Sequence, residues 1–166
     1  GDSCVVPVTG ADLYPTFLDM AGIPLMPGQH QDGVSLLPLL QGKSIPERAL
    51  YWHYPHYGNQ GGEPSSIIRQ GDWKLIHYYE DGRDELYNLR IDETESEPLN
   101  VQYPEKVEFL SKKLSVWLTE VGARYPEPDP QYNPAAEALY KKKTREKNDE
   151  NLGSYPQEAV RQRFQA

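Results

Sequence analysis

Between Ala49 and Leu89 the chain alternates short apolar runs with turn residues, a pattern that predicts strands. Ala49 to Tyr54 is rich in aromatic and apolar residues and is stopped by Pro55. Ser65 to Arg69 centres on the β-branched Ile67 and Ile68, and Trp73 to Tyr79 follows the turn-like Gln70-Gly71-Asp72. Asp81-Gly82 carries a two-residue hairpin signal, because both residues tolerate positive φ, and makes Glu85 to Leu89 the return strand. Connections this short force antiparallel neighbours, since a parallel crossover needs a dozen or more residues. The expectation is an α+β unit in which a small antiparallel sheet of about four strands is packed by one long amphipathic helix.

That helix falls at Pro104 to Ala123, with its body near 104–122. Val107, Leu110, Leu114, Trp117, Leu118 and Val121 recur at three- and four-residue steps and share one stripe. Lys106, Lys112 and Lys113 fall off it. Pro104 suits the first turn, Glu105 favours the positive end of the dipole, and Gly122 is the stop.

The earlier part of the chain is less regular. Cys4 to Val8 is β-prone but broken by Pro7, and Thr9 to Asp12 fits a capping box with Asp in place of Glu. Leu13, Phe17, Leu18 and Ala21 form a second helical stripe near 11–21, with Pro15 keeping its first turn irregular and Gly22 ending it. Ile23 to Gly33 reads as loop. Leu36, Leu37, Leu39 and Leu40 form an apolar knot in which Pro38 permits only a short helix, and the expectation is that it plugs a core. The reading places a subdomain over residues 1–124 and a tail over 125–166. Pro126, Pro128, Pro130 and Pro134 make the start of the tail extended. Ala135 to Lys147 has helical character but few anchors, and its basic run from Lys141 to Lys147 reads as a solvated face.

Composition narrows the function classes. A hydrophobic share of 37% and a mean hydropathy of -0.75 imply a small core. A net charge of -8 argues against a nucleic-acid partner, which needs a basic face. No apolar run is long enough to span a membrane. Cys4 is the single cysteine, which rules out an internal disulfide or a thiolate cluster and reads as a structural thiol. The chain opens on Gly1 without a secretory signal and reads as processed or cut from something longer, so that lack says nothing about compartment.

Taken in order, VPVTGADLYPTFLDMAGIP, DGVSLLPLLQG, RALYWHYPHY, IRQGDWKLI and ELYNL resemble the C-terminal part of a sulfatase of the arylsulfatase group, in the alkaline-phosphatase-like superfamily. The resemblance runs from Cys4 to Pro130. It implies an antiparallel sheet packed by a helix, and a partner in the N-terminal catalytic domain of the same parent chain. In that family a Cys or Ser in Cys/Ser-x-Pro-Ser-Arg becomes formylglycine, and a calcium held by Asp and Asn neutralises the sulfate. Both cofactors are expected in the N-terminal domain and neither in this chain. Cys4 is followed by Val5, Val6 and Pro7 and lacks the motif, while Asp92, Glu93, Glu95 and Glu97 lack calcium-loop spacing and read as a solvated acidic loop. This chain alone is therefore expected to be inactive on sulfate esters. The resemblance also implies a periplasmic or secreted parent.

The candidate contribution to a substrate pocket is His53, Tyr54, His56 and Tyr57, with the glycine-rich loop Gly58 to Gly62. Imidazoles donate to sulfate or hydroxyl oxygens, and tyrosines stack on sugar rings or donate from their hydroxyls. The competing reading is that these aromatics are sheet and interface packing. Arg69 and Lys74 are potential cations near the hairpin, and His77 is read as structural. Two other classes remain open: a self-standing glycan-binding module using Trp52, Tyr54, Tyr57 and Trp73, and an interaction domain that self-associates through an exposed apolar patch.

Overall fold

The computed structural model describes residues 3–58 and 62–133, together with residues 135, 139 and 143. The chain divides into two compact units, Gly1–Pro126 and Glu127–Ala166. In the first, a 3-10 turn (Gly10–Asp12) leads into α1 (Leu13–Met20), and α2 (Leu37–Leu40) follows. Then come β1 (Ala49–Tyr54), β2 (Ser65–Gln70), β3 (Trp73–Tyr78), β4 (Asp84–Asn88) and α3 (Pro104–Glu120). The strands lie in the order β1-β2-β3-β4, all neighbours antiparallel. The α+β architecture is the expected one.

Register explains the core. Cross-strand partners share a face, so Tyr51, Ile68, Leu75 and Leu86 form one row across all four strands. Ile68, Leu75 and Leu86 are fully buried against Leu110, Leu114 and Leu118 of α3. Tyr51 stacks on Trp117 with ring centroids 4.8 Å apart and planes 7° from parallel. Val121 lies past the last helical turn and is half exposed. The helix closes there because Gly122 adopts φ 61. That left-handed residue lets Gly122 N–H reach Thr119 O at 3.1 Å and Ala123 N–H reach Leu118 O at 2.9 Å, the paired bonds of a Schellman ending.

The turns differ from expectation. Gln70 pairs with Trp73, so Gly71-Asp72 is the two-residue turn. Asp81-Gly82 is not one: Tyr78 N–H donates to Arg83 O at 3.0 Å, and the connection takes in Tyr79 to Gly82. Tyr79 N–H is held by Pro64 O at 2.9 Å, so this part of the chain stays tied towards β2, and Asp81 curls onto Arg83 N–H at 3.2 Å.

The segment before the sheet departs further. α1 buries Pro15 and Thr16 and leaves Leu13 and Phe17 exposed, so its predicted apolar stripe faces outward. Its inner face is held by polar groups. Asp12 is fully buried and accepts from Thr9 N–H at 2.7 Å, Val34 N–H at 3.0 Å and the Arg48 guanidinium. Thr16 Oγ1 donates to Asp12 O at 2.6 Å and accepts from Leu36 N–H at 2.9 Å. Gly33 packs so tightly that a Cβ there would lie 2.1 Å from Ala11 O, which only glycine avoids. The leucine knot does not plug a core: Leu36 to Leu39 are half-buried and Leu40 is 69% exposed, and the chain entering it is tied to Thr16 and Asp19 of α1 by polar bonds from Leu36 N–H and the Ser35 hydroxyl.

In the second unit, Tyr132 N–H bonds Asp129 O at 3.0 Å, and Asn133 Oδ1 accepts from Ala135 N–H at 3.0 Å in the manner of a helix cap. Ala135, Leu139 and Lys143 are helical positions. The rest of the expected helix and basic run lies outside the described residues.

Candidate functional site

The period of two in β1 splits the candidate residues between the two faces of the sheet. His53 shares the α3-facing side with Ser66, His77 and Asp84, which form a polar row across the four strands beside the apolar one. Tyr54 pairs with Ser65 and through it with Tyr78, on the opposite face.

On the α3 side, His53 Nε2 lies 2.9 Å from Arg124 O and its Nδ1 lies 2.7 Å from Ser66 Oγ and 3.2 Å from the Tyr79 hydroxyl. A carbonyl only accepts, so Nε2–H donates to Arg124 O, and Nδ1 shares its hydrogen bonds with the Ser66 and Tyr79 hydroxyls. Both ring nitrogens are thus engaged inside the protein. Tyr79 and Tyr125 close the cluster, each edge-on to the His53 ring at 5.8 and 6.1 Å. Burial raises the Tyr79 phenol above its ordinary pKa, against the pull of its bond with Ser66. Ser66 is fully buried and so is not placed as a nucleophile. His77 Nδ1 bonds Asp84 Oδ1 at 2.8 Å, consistent with the structural role read for it. The cluster fastens the chain that leaves α3 to the end of the sheet.

On the other face, Trp52 and Tyr54 are 42% and 53% exposed, and Tyr57, beyond the end of β1, is 65% exposed. His56 is exposed and meets Tyr54 edge-on at 5.5 Å. Gly58 N–H bonds Gly62 O at 3.2 Å across the base of the loop, whose residues 59–61 lie outside the described set. The nearby cation is committed: Arg83 stacks over Tyr78 at 3.7 Å and binds Glu63, Asp81 and Glu85 at 2.8, 2.9 and 3.2 Å. Those carboxylates hold the Arg83 guanidinium firmly protonated. Burial and the Glu85 carboxylate raise the Tyr78 and Tyr87 phenols. One guanidinium facing three carboxylates leaves this end of the face acidic, suited to hydroxyl-rich ligands more than to sulfate.

The remaining candidate cations are also occupied. Lys74 Nζ lies 2.6 Å from Glu95, and Arg69 Nε reaches Gly71 O at 3.4 Å. In the acidic loop Glu93 and Glu97 are exposed, as expected of a solvated segment. Asp92 folds back to accept from Ser96 and Glu97 N–H at 2.9 and 3.0 Å, bonds that hold its carboxyl below the ordinary range. A cleft of about 520 Å³ runs beside β1, lined by Arg48, Leu50, Trp52 and Trp117 among others, and its cation Arg48 is bound to Asp12.

Calcium and formylglycine find no fit here. Cys4 is exposed and followed by Val5, Val6 and Pro7, and among the described residues no three His, Cys, Asp or Glu side chains converge on one point. No helix among the described residues is long and apolar enough to cross a membrane. The residues that sequence reasoning missed are Ser66, Tyr79, Arg124 and Tyr125, which reach His53 from 13 to 72 positions away with no shared motif.

The described residues of the first unit thus form a four-stranded antiparallel sheet backed by one long helix. The chain belongs to the family described as N-sulphoglucosamine sulphohydrolase, C-terminal, which matches residues 5–123. It is 34% identical over 115 residues to arylsulfatase K of Mus musculus, covering 64% of this chain and 20% of the relative. It is 35% identical over 127 residues to the N-acetylglucosamine-6-O-sulfatase of Bacteroides thetaiotaomicron, covering 72% and 22%. A solved protein in complex with its substrate D-glucosamine-2-N,6-O-disulfate superposes with a TM-score of 0.56 at 31% identity, over 73% of this chain and 25% of the other. The chain thus spans about a fifth of the length of the curated relatives it matches.

Proposed function

We propose that this chain is the non-catalytic, C-terminal part of a sulfatase that hydrolyses sulfate esters of sulfated carbohydrates. It scaffolds an N-terminal catalytic portion and lends an aromatic surface to the substrate pocket. The match of the sheet-and-helix unit to the sulfatase C-terminal family over residues 5–123 carries this reading. Formylglycine and calcium belong to the N-terminal portion, where they supply the nucleophile and the charge neutralisation of sulfate hydrolysis. The glucosamine sulfates named for two of the relatives make an amino-sugar sulfate, as found in glycosaminoglycans, the substrate class to test first. Export of the parent to a periplasmic or extracellular space accords with such a substrate.

Within the pocket, Tyr54, His56 and Tyr57 meet the sugar and not the sulfate, because Arg83, the cation stacked on Tyr78, is paired with three carboxylates. His53 positions β1 beneath them through its bond to Arg124 O. Full-length parent, matured to carry formylglycine, should release sulfate from glucosamine 6-sulfate or N-sulfate oligosaccharides. His56→Ala should raise KM by roughly tenfold with little change in kcat, on the order of 1.4 kcal/mol for one lost polar contact. A matured parent inactive on every sulfate and sulfamate ester would refute the reading.

The exposure of Trp52, Tyr54 and Tyr57 favours one alternative, a glycan-binding module that works without a catalytic neighbour. Saturable binding of neutral glycans by this chain alone would support it, and flat titrations would remove it.

A further inference from the structure

β1 is the terminal strand of the sheet, and its outer edge has no neighbouring strand among the described residues. The cleft of about 520 Å³ lies along that edge, within the ~300–1,000 Å³ of small-molecule pockets. Its walls are aromatic. Tyr51 and Trp52 leave β1 towards opposite faces of the sheet, so each side of the strand contributes a ring. Trp117 adds the indole on which Tyr51 is stacked. The rim is polar. Gln31 and Asp32 are exposed, and among the described residues neither side chain is hydrogen-bonded or ion-paired to the protein. Arg48 spends its Nη groups on Asp12 and, at 3.0 Å, on Asp32 O. Its Nε–H is buried and has no acceptor in the protein.

We propose that this cleft is a sugar subsite that holds one uncharged pyranose unit of a glycan chain, an inference that rests on the sulfatase reading for why such a chain is at hand. A pyranose ring presents C–H faces that pack on aromatic rings, and hydroxyls that pair with carboxylate and amide groups. The Arg48 Nε–H supplies a further donor for a sugar oxygen. Charge sets the class of sugar. Arg48, the cation lining the cleft, is neutralised by Asp12, while the Asp32 carboxylate stands unpaired. A sulfate or a uronate would therefore enter against a negative group with no counter-charge to meet it. Tyr54, His56 and Tyr57 do not line the cleft, so it is a second point of contact with the glycan. It adds affinity for longer chains and leaves the chemical step untouched.

The test uses full-length parent and unsulfated N-acetylchitotetraose, followed by isothermal titration calorimetry. Saturable binding is expected, weakened roughly tenfold by Asp32→Ala and by Gln31→Ala and unchanged by His56→Ala. Both substitutions fall at exposed positions and should leave the melting temperature where it was. They should also raise KM for a sulfated octasaccharide, with kcat and the KM for a sulfated monosaccharide unchanged. Flat titrations overturn the proposal, which is the result expected if a peptide segment fills the β1 edge instead. Binding that His56→Ala abolishes and Asp32→Ala spares overturns it too, by moving the sugar to the surface around Tyr54. Tighter binding of a sulfated tetraose at Asp32 would sink the charge argument. Sulfate release by the unsubstituted parent is measured alongside. Tetraose binding through Asp32 and Gln31 in a parent with no sulfatase activity refutes the functional reading and keeps the subsite, whereas activity with flat titrations does the reverse.

Discussion

The chain holds two helices with the same kind of periodic signal and opposite outcomes. In α3 the stripe Leu110, Leu114, Leu118 is buried against a row of strand residues, Lys112 off it is exposed, and Lys106 and Lys113 reach Trp73 and Gln70 at its edge. In α1 the comparable stripe of Leu13 and Phe17 is exposed, and the buried side consists of Asp12, Pro15 and Thr16. The hydrophobic pattern fixes which residues of a helix share a face. It does not say whether the surface that covers this face lies within the same stretch of chain. For α3 that surface is the adjoining sheet. For α1 the neighbouring loop offers N–H groups and hydroxyls, which satisfy the polar side and leave the apolar side turned away.

This contrast can be broken by measurement. The largest effect should come from Leu114→Ala, which empties part of the core and should cost about 2–5 kcal/mol in urea unfolding of this chain. Phe17→Ala in the same chain should cost less than about 0.5 kcal/mol, as expected for an exposed position. Equal losses would mean that α1 is packed within the unit after all.

A smaller effect is expected at the polar anchor of α1. Asp12→Asn leaves the mostly buried Arg48 without its counter-charge and should cost roughly 2–3 kcal/mol. Burial pushes the Asp12 carboxyl up, but Arg48 and the Thr9 and Val34 N–H groups outweigh it, and the pKa lies below the ordinary value. A carboxylate with a depressed folded pKa stabilises fully above its unfolded value of about 3.9 and loses that contribution as pH falls through the folded pKa. The wild-type chain should therefore weaken below about pH 4 in a way that Asp12→Asn does not share. Parallel acid titrations of the two would show this pair to be incidental.

A smaller effect than at Asp12 is expected at the other end of the sheet. His53→Phe removes the bond to Arg124 O and should cost about 1 kcal/mol. Faster amide exchange at residues 124–126 should accompany it, with the core strands unaffected. Unchanged exchange there would show that the aromatic contacts of Tyr125 alone hold the segment.

What could be read beforehand was local. Strands β1 to β4 and helix α3 were legible because each is written in side-chain periodicity and in the Pro and Gly residues that bound it. The candidate site was half legible. Tyr54 and His56 are exposed and in edge-on contact, and Tyr57 is exposed beyond the end of β1, but alternation along β1 sends His53 to the other side of the sheet, and its partners Ser66, Tyr79 and Arg124 carry no motif that links them. Asp81-Gly82 has the chemistry of a two-residue hairpin, but Pro64, from the other flank of β3, holds Tyr79 out of the pairing and lengthens the connection.

The amino-acid sequence alone determined the number, order and direction of the strands, the buried stripe of α3 and the membership of the sulfatase C-terminal family, since short turns and side-chain period leave few alternatives. Only the tertiary structure decided which way α1 faces, where Arg48 finds its carboxylate, and that His53 is bonded within the protein at both ring nitrogens. These depend on groups dozens of residues apart meeting at hydrogen-bonding distance, a matter of how the chain returns on itself, which no local pattern encodes.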